Sequence, residues 1–390
     1  MVRAHLITRG VPPNIMDRNL HIGLFSSYDF SYHGGVNQHI KNLQKQFLRQ
    51  GHSCKIVAPS SSDDTPCDSN FIRMGGVVPI RSRGSVARIS LSLWLMPKIK
   101  SLIAQERFDV LHLHEPFAGA ITAGALGVTS GIVPVKIATF HSFNGTNLYK
   151  LGFAKLAAPY FRRLDGRIAV SSSARDFISR HLYSEFEIIP NGIDLEEYRI
   201  AEPVKELMDG KLNILFVGRF EHRKGLRYLI AAYCNLRRNL GGVRLIIAGS
   251  GELDPDSARI IAERGSEGIL LKVGISDEHK ASLFRSADIF CAPSTGNESF
   301  GIVLLEAMAT GTAIVASNIN GYSSLIINEE DGFLCPPRDE IALTEILIRL
   351  IRDKATREKV GKNGRKKAGD FSWDIVSKKV LDYYSLVGSF

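Results

Sequence analysis

A chain of 390 residues has room for two or three domains, at roughly one per ~150 residues. Its 44% hydrophobic and 23% charged residues are those of an ordinary globular protein, which excludes disordered, collagen-like and disulfide-dense classes. The net charge of +9 is concentrated: between Arg73 and Arg107 seven basic residues stand against Glu106 alone.

Residues 1–20 carry three arginines, two prolines and an aspartate, with no continuous apolar core, and read as a flexible extension outside the fold. From His21 a rhythm begins. Short runs of branched apolar residues recur at His21–Phe25, Cys54–Ala58, Val110–His114, Lys136–Phe140, Gly166–Val170 and Glu187–Ile189. After a charged, weakly apolar stretch it restarts at Asn213–Val217, Arg244–Ala248, Ile269–Lys272, Ile289–Ala292 and Ala313–Ala316. Helix-period segments such as Gly35–Gln50, Arg227–Leu240, Glu278–Ser286 and Ile341–Arg352 lie between them. This alternation predicts an α/β protein with two doubly wound, Rossmann-like parallel sheets and a ligand cleft between them. The expected divisions are a first domain over 21–195, a linker over 196–210, a second domain over 211–371 and a terminal helix over 372–390.

The uncharged stretch Pro116 to Val135 is long enough to span a bilayer, but its four glycines and Pro134 favour a buried crossover helix and a turn. Five cysteines without a C-x-x-C pair fit neither a zinc site nor a disulfide framework. The basic stretch Arg73–Arg107 is interleaved with Val86, Ile89, Leu91, Leu93, Trp94 and Leu95. It reads either as a surface for anionic membrane or as a solvated helix with a core-facing side. No base-stacking or groove-reading motif accompanies the charge, so nucleic acid is disfavoured.

Candidate chemistry sits just after strands. Gly34-Gly35-Val36 opens a helix after the first strand, where paired glycines make either a tight turn or an approach to an anion. The pattern is not G-x-G-x-x-G and no acid ends the second strand, which disfavours a dinucleotide oxidoreductase. His141-Ser142 follows the strand Lys136–Phe140, and a lone histidine there is either structural or chemical. His112 and His114 alternate onto one face of their strand, but without a third spaced ligand they read as hydrogen-bonded structural groups, and no metal ligand set is apparent. In the second half, Gly218-Arg219 and Arg223-Lys224-Gly225 place cations past a strand and before a helix, as a phosphate clamp requires, although surface cations are common. Ala248-Gly249-Ser250 is a further strand-to-glycine turn, whereas Asp254-Pro255-Asp256 reads as a helix cap rather than a metal motif. The most specific element runs from Glu298 to Gly311. Its helix should begin near Gly301, so that the amides of Phe300, Gly301, Ile302 and Val303 meet a diphosphate, while Glu298 and Glu306 accept hydroxyls. Two uncompensated carboxylates beside a phosphate are otherwise electrostatically odd.

Together with Pro190-Asn191-Gly192-Ile193-Asp194 and Gly34-Gly35-Val36, the E-x7-E element from Glu298 to Glu306 resembles the retaining GT-B glycosyltransferases of family 4. The resemblance spans nearly the whole chain from about residue 21. Within the family it is greatest to the phosphatidyl-myo-inositol mannosyltransferases, through Gly84–Arg88, Phe108–Pro116, Ala138–His141 and Glu298–Glu306. It implies a nucleotide-sugar donor with no tightly bound cofactor and no metal. Arg219 and Lys224 would neutralise the diphosphate, Glu306 would hold the ribose, Glu298 would orient the sugar, and main-chain groups near Ile275 would meet the base. Gly35 and Gly249 would let the donor approach, and His141 would contact the sugar. Tyr28, Asn37, Ser85, Arg88 and Ser142 would lie on the acceptor side. Arg81, Arg83, Lys98 and Lys100 would face an anionic membrane, placing the enzyme on the inner face of the cell membrane, with the terminal helix crossing back to the first domain.

Three departures fall on the acceptor side. Val78–Ser85 replaces the V-P-I-P-Y-N-G-S of the inositol-lipid enzymes, Asn37 replaces a glutamine, and Ser142 replaces a threonine. GDP-mannose and an inositol phospholipid follow the resemblance, while a UDP-sugar with another glycolipid or a polysaccharide precursor shares every motif. An inactive, nucleotide-binding relative would be expected to have lost Glu298, Arg219, Lys224 or His141, all of which are present.

Overall fold

The computed structural model describes residues 18–388, apart from His33, 63–68, 83–84, 130–132 and 142–152. Ser142 and Arg83 lie outside the described residues, as does most of the expected N-terminal extension. The first half supplies strands β1 (His21–Ser26), β2 (Ser53–Ala58), β3 (Phe71–Arg73), β4 (Val78–Ser82), β5 (Ser85–Ile89), β6 (Val110–His114), β7 (Val135–Phe140), β8 (Gly166–Ala169) and β9 (Glu187–Ile188). Its helices are α1 (Gly35–Arg49), α2 (Met96–Glu106), α3 (Ala120–Val128), α4 (Phe153–Phe161) and α5 (Ser172–Ser179). Seven of these strands form one parallel sheet in the order β3-β2-β1-β6-β7-β8-β9.

The second half has α6 (Leu195–Ile200), β10 (Leu212–Arg219), α7 (Leu226–Arg237), β11 (Val243–Ser250), α8 (Pro255–Arg264), β12 (Ile269–Val273), α9 (Asp277–Ser286) and β13 (Ile289–Ala292). It continues with α10 (Ile302–Thr310), β14 (Ala313–Ser317), α11 (Asn320–Ser323), β15 (Phe333–Cys335), α12 (Glu340–Arg352), α13 (Lys354–Ala368) and α14 (Trp373–Gly388). Its six strands form a second parallel sheet, β12-β11-β10-β13-β14-β15. The two Rossmann-like units expected from the alternation are therefore present. Strand order reverses between β1 and β6 in one sheet and between β10 and β13 in the other, the places where doubly wound sheets open a crevice at their carboxyl ends.

Strands such as β6 and β14 are buried along their whole length, because helices cover both faces of each sheet. Pro116–Val135 contains α3, whose Ile121, Ala125 and Leu126 are buried. Among the described residues no helix is long and apolar enough to cross a membrane. The stretch between the sheets, read as a linker, includes the last five residues of α6 and a 3-10 turn over Lys205–Leu207, with Tyr198 and Leu207 buried against the second sheet's core.

The basic segment from Arg73 to Arg107 is not one helix. It is an antiparallel hairpin, β4 with β5, followed by a 3-10 turn over Leu93–Leu95 and by α2. The hairpin is laced to the loop after β1, since Asp29 N donates to Arg88 O at 2.9 Å and Ser90 N to Ser27 O at 3.0 Å. Helix α14 crosses back to the first sheet. Its Trp373, Val376, Val380, Leu381 and Tyr384, at helical spacing, pack into the core built by β1, β6 and α1. The Tyr384 hydroxyl lies 2.6 Å from His112 Nδ1 and fixes the helix against β6.

Candidate active site

In the second unit the E-x7-E segment forms from a sharp turn. Gly301 caps α10 with φ 91°, and a Cβ there would meet the Tyr322 ring at 2.7 Å, so only glycine lets the chain enter the helix at this place. No side chain caps α10, and the same is true of α1, whose N-cap is Gly34. Both helices thus begin with N–H groups that no side-chain cap takes up among the described residues, and with the positive end of a dipole. They face each other: a Cβ on Gly35 would stand 3.2 Å from Ile302 Cδ1. Nearby, Ser171 Oγ donates to Ser299 O at 2.5 Å, tying the two units together at the same level.

Glu298 lies between two cations, its side chain 13% exposed. Lys224 Nζ lies 2.7 Å from Glu298 Oε1, and Arg223 pairs with the same oxygen. Burial by itself would raise the Glu298 carboxyl, but Lys224 and Arg223 outweigh it and hold the group below its ordinary value. Arg223 also meets Glu221 at 2.8 Å, and the more exposed Arg219 meets Glu221 at 2.8 Å. Arg219 closes β10, which runs two residues beyond the expected end at Val217 and pairs Gly218 and Arg219 with Gly249 and Ser250. Gly249 has φ 159°, and a Cβ on it would sit 1.8 Å from Gly218 O, so this strand end closes only with glycine.

Glu306, on the first turns of α10, is 5% exposed. Its Oε1 accepts from Lys280 Nζ at 2.8 Å, while Oε2 has no hydrogen-bond partner among the described residues. Burial works against the Lys280 charge, but Glu306 and Asp277 outweigh it and hold the ammonium above its ordinary value. The two carboxylates of the motif are therefore not uncompensated, as the sequence suggested: each has a lysine. Phe300 turns its side chain into the core beside Phe371, so only its main chain reaches the turn. Ile275 borders an open surface cavity of about 490 Å³ with Lys272, Val273, Gly274, Ser276 and His279, at the end of β12. Asp254 caps α8 by accepting from Ser257 N at 3.2 Å, and Pro255 opens that helix, as the cap reading requires.

In the first unit, His141 stands just past the carboxyl end of β7, and its main-chain N–H donates to Glu115 Oε1 at 2.5 Å. It is not alone. His114 Nδ1 lies 3.1 Å from His141 Nε2, and the His39 ring packs edge-on 4.8 Å from His141. His39 Nδ1 meets Asn191 Oδ1 at 2.9 Å. His112 is structural, with both ring nitrogens bonded, to Tyr384 and to Thr139 Oγ1 at 2.6 Å. The strand alternation does bring His112 and His114 together, their rings stacked at 4.3 Å, and the fold adds His39 and His141 beside His114.

On the expected acceptor side, Asn37 donates to Asp29 O at 2.7 Å and Tyr32 O at 2.9 Å, which commits its amide nitrogen to the loop, while Oδ1 has no partner among the described residues. Arg88 stacks over Tyr32 at 3.9 Å and Tyr28 bridges to Ile89. Ser85 and Arg81 lie on the hairpin strands. Lys98 and Lys100 are exposed on α2, near Leu93 (71% exposed) and Trp94 (91% exposed). The sequence reading passed over Lys280 and Asn191 as site groups, and over α4, which adds exposed Lys155, Leu156 and Tyr160 with Arg162 and Arg163 after it.

Comparison with known proteins agrees with this architecture. Residues 33–197 match Glycosyltransferase Family 4 and residues 199–367 match Glycosyl transferases group 1. The chain is 35% identical to a phosphatidyl-myo-inositol mannosyltransferase of Mycobacterium tuberculosis, over 94% of this chain and 97% of that protein. It is 32% identical to one of Propionibacterium freudenreichii, over 95% and 96%. Among solved structures, a glycosyltransferase from Rickettsia africae superposes with a TM-score of 0.77 at 19% identity, covering 95% of this chain and 98% of that one. Anabaena HepE in complex with UDP gives 0.74 at 16%, covering 94% and 100%. These last two speak for the fold, and the closer relatives for the lineage. With two Rossmann-like units, facing helix starts and an E-x7-E turn matched along nearly its whole length, the chain belongs to the family 4 glycosyltransferases of GT-B architecture.

Proposed function

We propose that this glycosyltransferase moves mannose from GDP-mannose to an inositol phospholipid, with retention of anomeric configuration, at an anionic membrane surface. The observation that carries the donor side is the Glu298–Lys224–Arg223 cluster beside the uncapped start of α10. A diphosphate entering there meets helix amides and can draw Lys224 away from Glu298, while Arg219 closes on it from β10. Glu298, released from one cation, then accepts hydroxyls of the sugar. Glu306 offers the ribose its unpartnered Oε2, Gly249 leaves room at the end of β11, and main-chain groups at Ile275 meet the base above the cavity.

His141 lies across the cleft, beside the sugar. The reaction is a same-face displacement: the bond from the anomeric carbon to the phosphate oxygen breaks, the acceptor oxygen bonds to that carbon, and the acceptor proton passes to the departing phosphate. Gly35 leaves space for acceptor and diphosphate together. Tyr28, Asn37, Ser85, Arg88 and Ser142 are the residues assigned to the acceptor. Arg81, Arg83, Lys98 and Lys100, with Leu93 and Trp94 projecting from the same segment, dock on the inner face of the cell membrane, each cation near anionic lipid contributing about 1 kcal/mol. The names of the 32–35% identical relatives support the choice of mannose and phosphatidylinositol.

The test is nucleoside diphosphate release from a panel of GDP- and UDP-sugars, with and without phosphatidylinositol vesicles. Release of GDP from GDP-mannose that depends on the vesicles is expected. Release of UDP, the nucleotide named with HepE, would move the reading to a UDP-sugar donor.

A further inference from the structure

We propose that His39, His114 and His141 form a binding site for a divalent transition-metal ion of the zinc type. One ring nitrogen of each lies within 4.8 Å of the others. The closest pair, His114 Nδ1 and His141 Nε2 at 3.1 Å, is already near the ~3.3 Å that separates two ligand atoms around tetrahedral zinc at about 2.0–2.1 Å. Rotation of His39 about its side-chain bonds, from the amino-terminal half of α1, completes a three-imidazole set.

Three further observations favour an ion over a purely structural cluster. His114 Nε2 is buried with no hydrogen-bond partner among the described residues, so the ring proton can sit there, without breaking a contact, when Nδ1 binds an ion. All three rings are buried, which shields an ion held by them from competing water. Asn191 Oδ1 meets His39 Nδ1 at 2.9 Å. An acceptor there places the proton on Nδ1 and leaves Nε2 bare, the outer contact that metal-binding histidines commonly make. Three imidazoles leave one position open, and His141 sits at a strand end in the cleft, from which an ion enters. Imidazole ligands suit zinc, copper and nickel rather than magnesium or calcium.

The site is independent of which sugar or lipid is handled, and its test begins with binding alone. Full-length protein freed of metal with a chelator is titrated with cobalt(II), followed by visible absorption, and with zinc by calorimetry. One equivalent is expected. His114→Gln and His39→Gln should each weaken it at least tenfold, while His222→Gln, a change at an exposed histidine, should not. X-ray absorption on the zinc-loaded wild type should report three imidazole nitrogens at ~2.0 Å, and decides the matter alone if the variants do not fold. Absence of saturable binding, equal affinity in both variants, or fewer than three imidazoles would overturn the site. Bound zinc should also slow sugar transfer at least tenfold, reversibly with chelator. Metal bound by three imidazoles with transfer undiminished would count against the place given to His141 in the reaction, and not against the metal site.

Discussion

Glu298 and Glu306 occupy similar settings and should fail differently. Replacing Glu298 with Gln takes the counter-charge from the partly buried Lys224, while Arg223 keeps Glu221, and should cost about 1–3 kcal/mol. Because the folded carboxyl lies below its unfolded value, its contribution is complete above about pH 4.3 and lost as pH falls through the depressed value. Denaturant midpoints at pH 7 and pH 4 should therefore lie closer together in Glu298→Gln than in the parent. A parallel pair of curves would remove the ion pair from the account. Glu306→Ala instead takes away a hydroxyl acceptor, and nucleotide-sugar affinity should fall about tenfold, as for the loss of hydrogen bonds to a charged group. Calorimetry showing unchanged affinity would deny it the ribose. Lys224→Ala should lower turnover by about 10² or more; a near-normal rate would separate the lysine from the diphosphate.

At this scale the sequence was informative where a motif is local. Arg219, Arg223, Lys224 and the E-x7-E turn are legible because strand ends and glycines mark them. The histidine cluster was not, since its members come from α1, β6 and the residue after β7 and meet only through the sheet order. Lys280 was hidden because α9 reads as a charged surface helix, and nothing in its period says which lysine faces Glu306.

Among elements, the long buried strands announced themselves by branched apolar runs. Strands β3 and β15 did not, each having three residues, too few for a period. The β4–β5 hairpin was obscured by its arginines, which interrupt the apolar alternation and make the segment look like one basic amphipathic stretch. Its exposed neighbours give the membrane reading a sharper form. Replacing Lys98 and Lys100 with Ser and Leu93 and Trp94 with Ser should abolish co-sedimentation with anionic vesicles while donor affinity stays within twofold. Vesicle binding that persists would place the docking surface elsewhere. Helix α14 begins with Trp373 against both Gly192 and His39: a Cβ on Gly192 would meet the indole at 2.5 Å, and the His39 ring lies 5.2 Å from it. Trp373→Ala should cost about 3–5 kcal/mol, read as a lower unfolding midpoint. An unchanged midpoint would mean that the helix is held by its later turns alone.

For the molecule as a whole, the break in strand rhythm near residue 200 made two units legible, and the rule that crevices open where strand order reverses points to the space between them as the proposed ligand site. What sequence could not supply was how closely the units meet. Gly35 against Ile302 and Ser171 against Ser299 put two uncapped helix starts on opposite sides of one space, and this opposition is what a transfer between two bound substrates needs. The most direct measurement is mass spectrometry of lipid recovered after the protein has met GDP-mannose and vesicles containing phosphatidylinositol, with His141→Ala as the comparison. Phosphatidylinositol heavier by one hexose, formed by the parent and at least tenfold less by the variant, is the predicted result. Unmodified phosphatidylinositol with the sugar on another lipid, or on none, would contradict the acceptor assigned here.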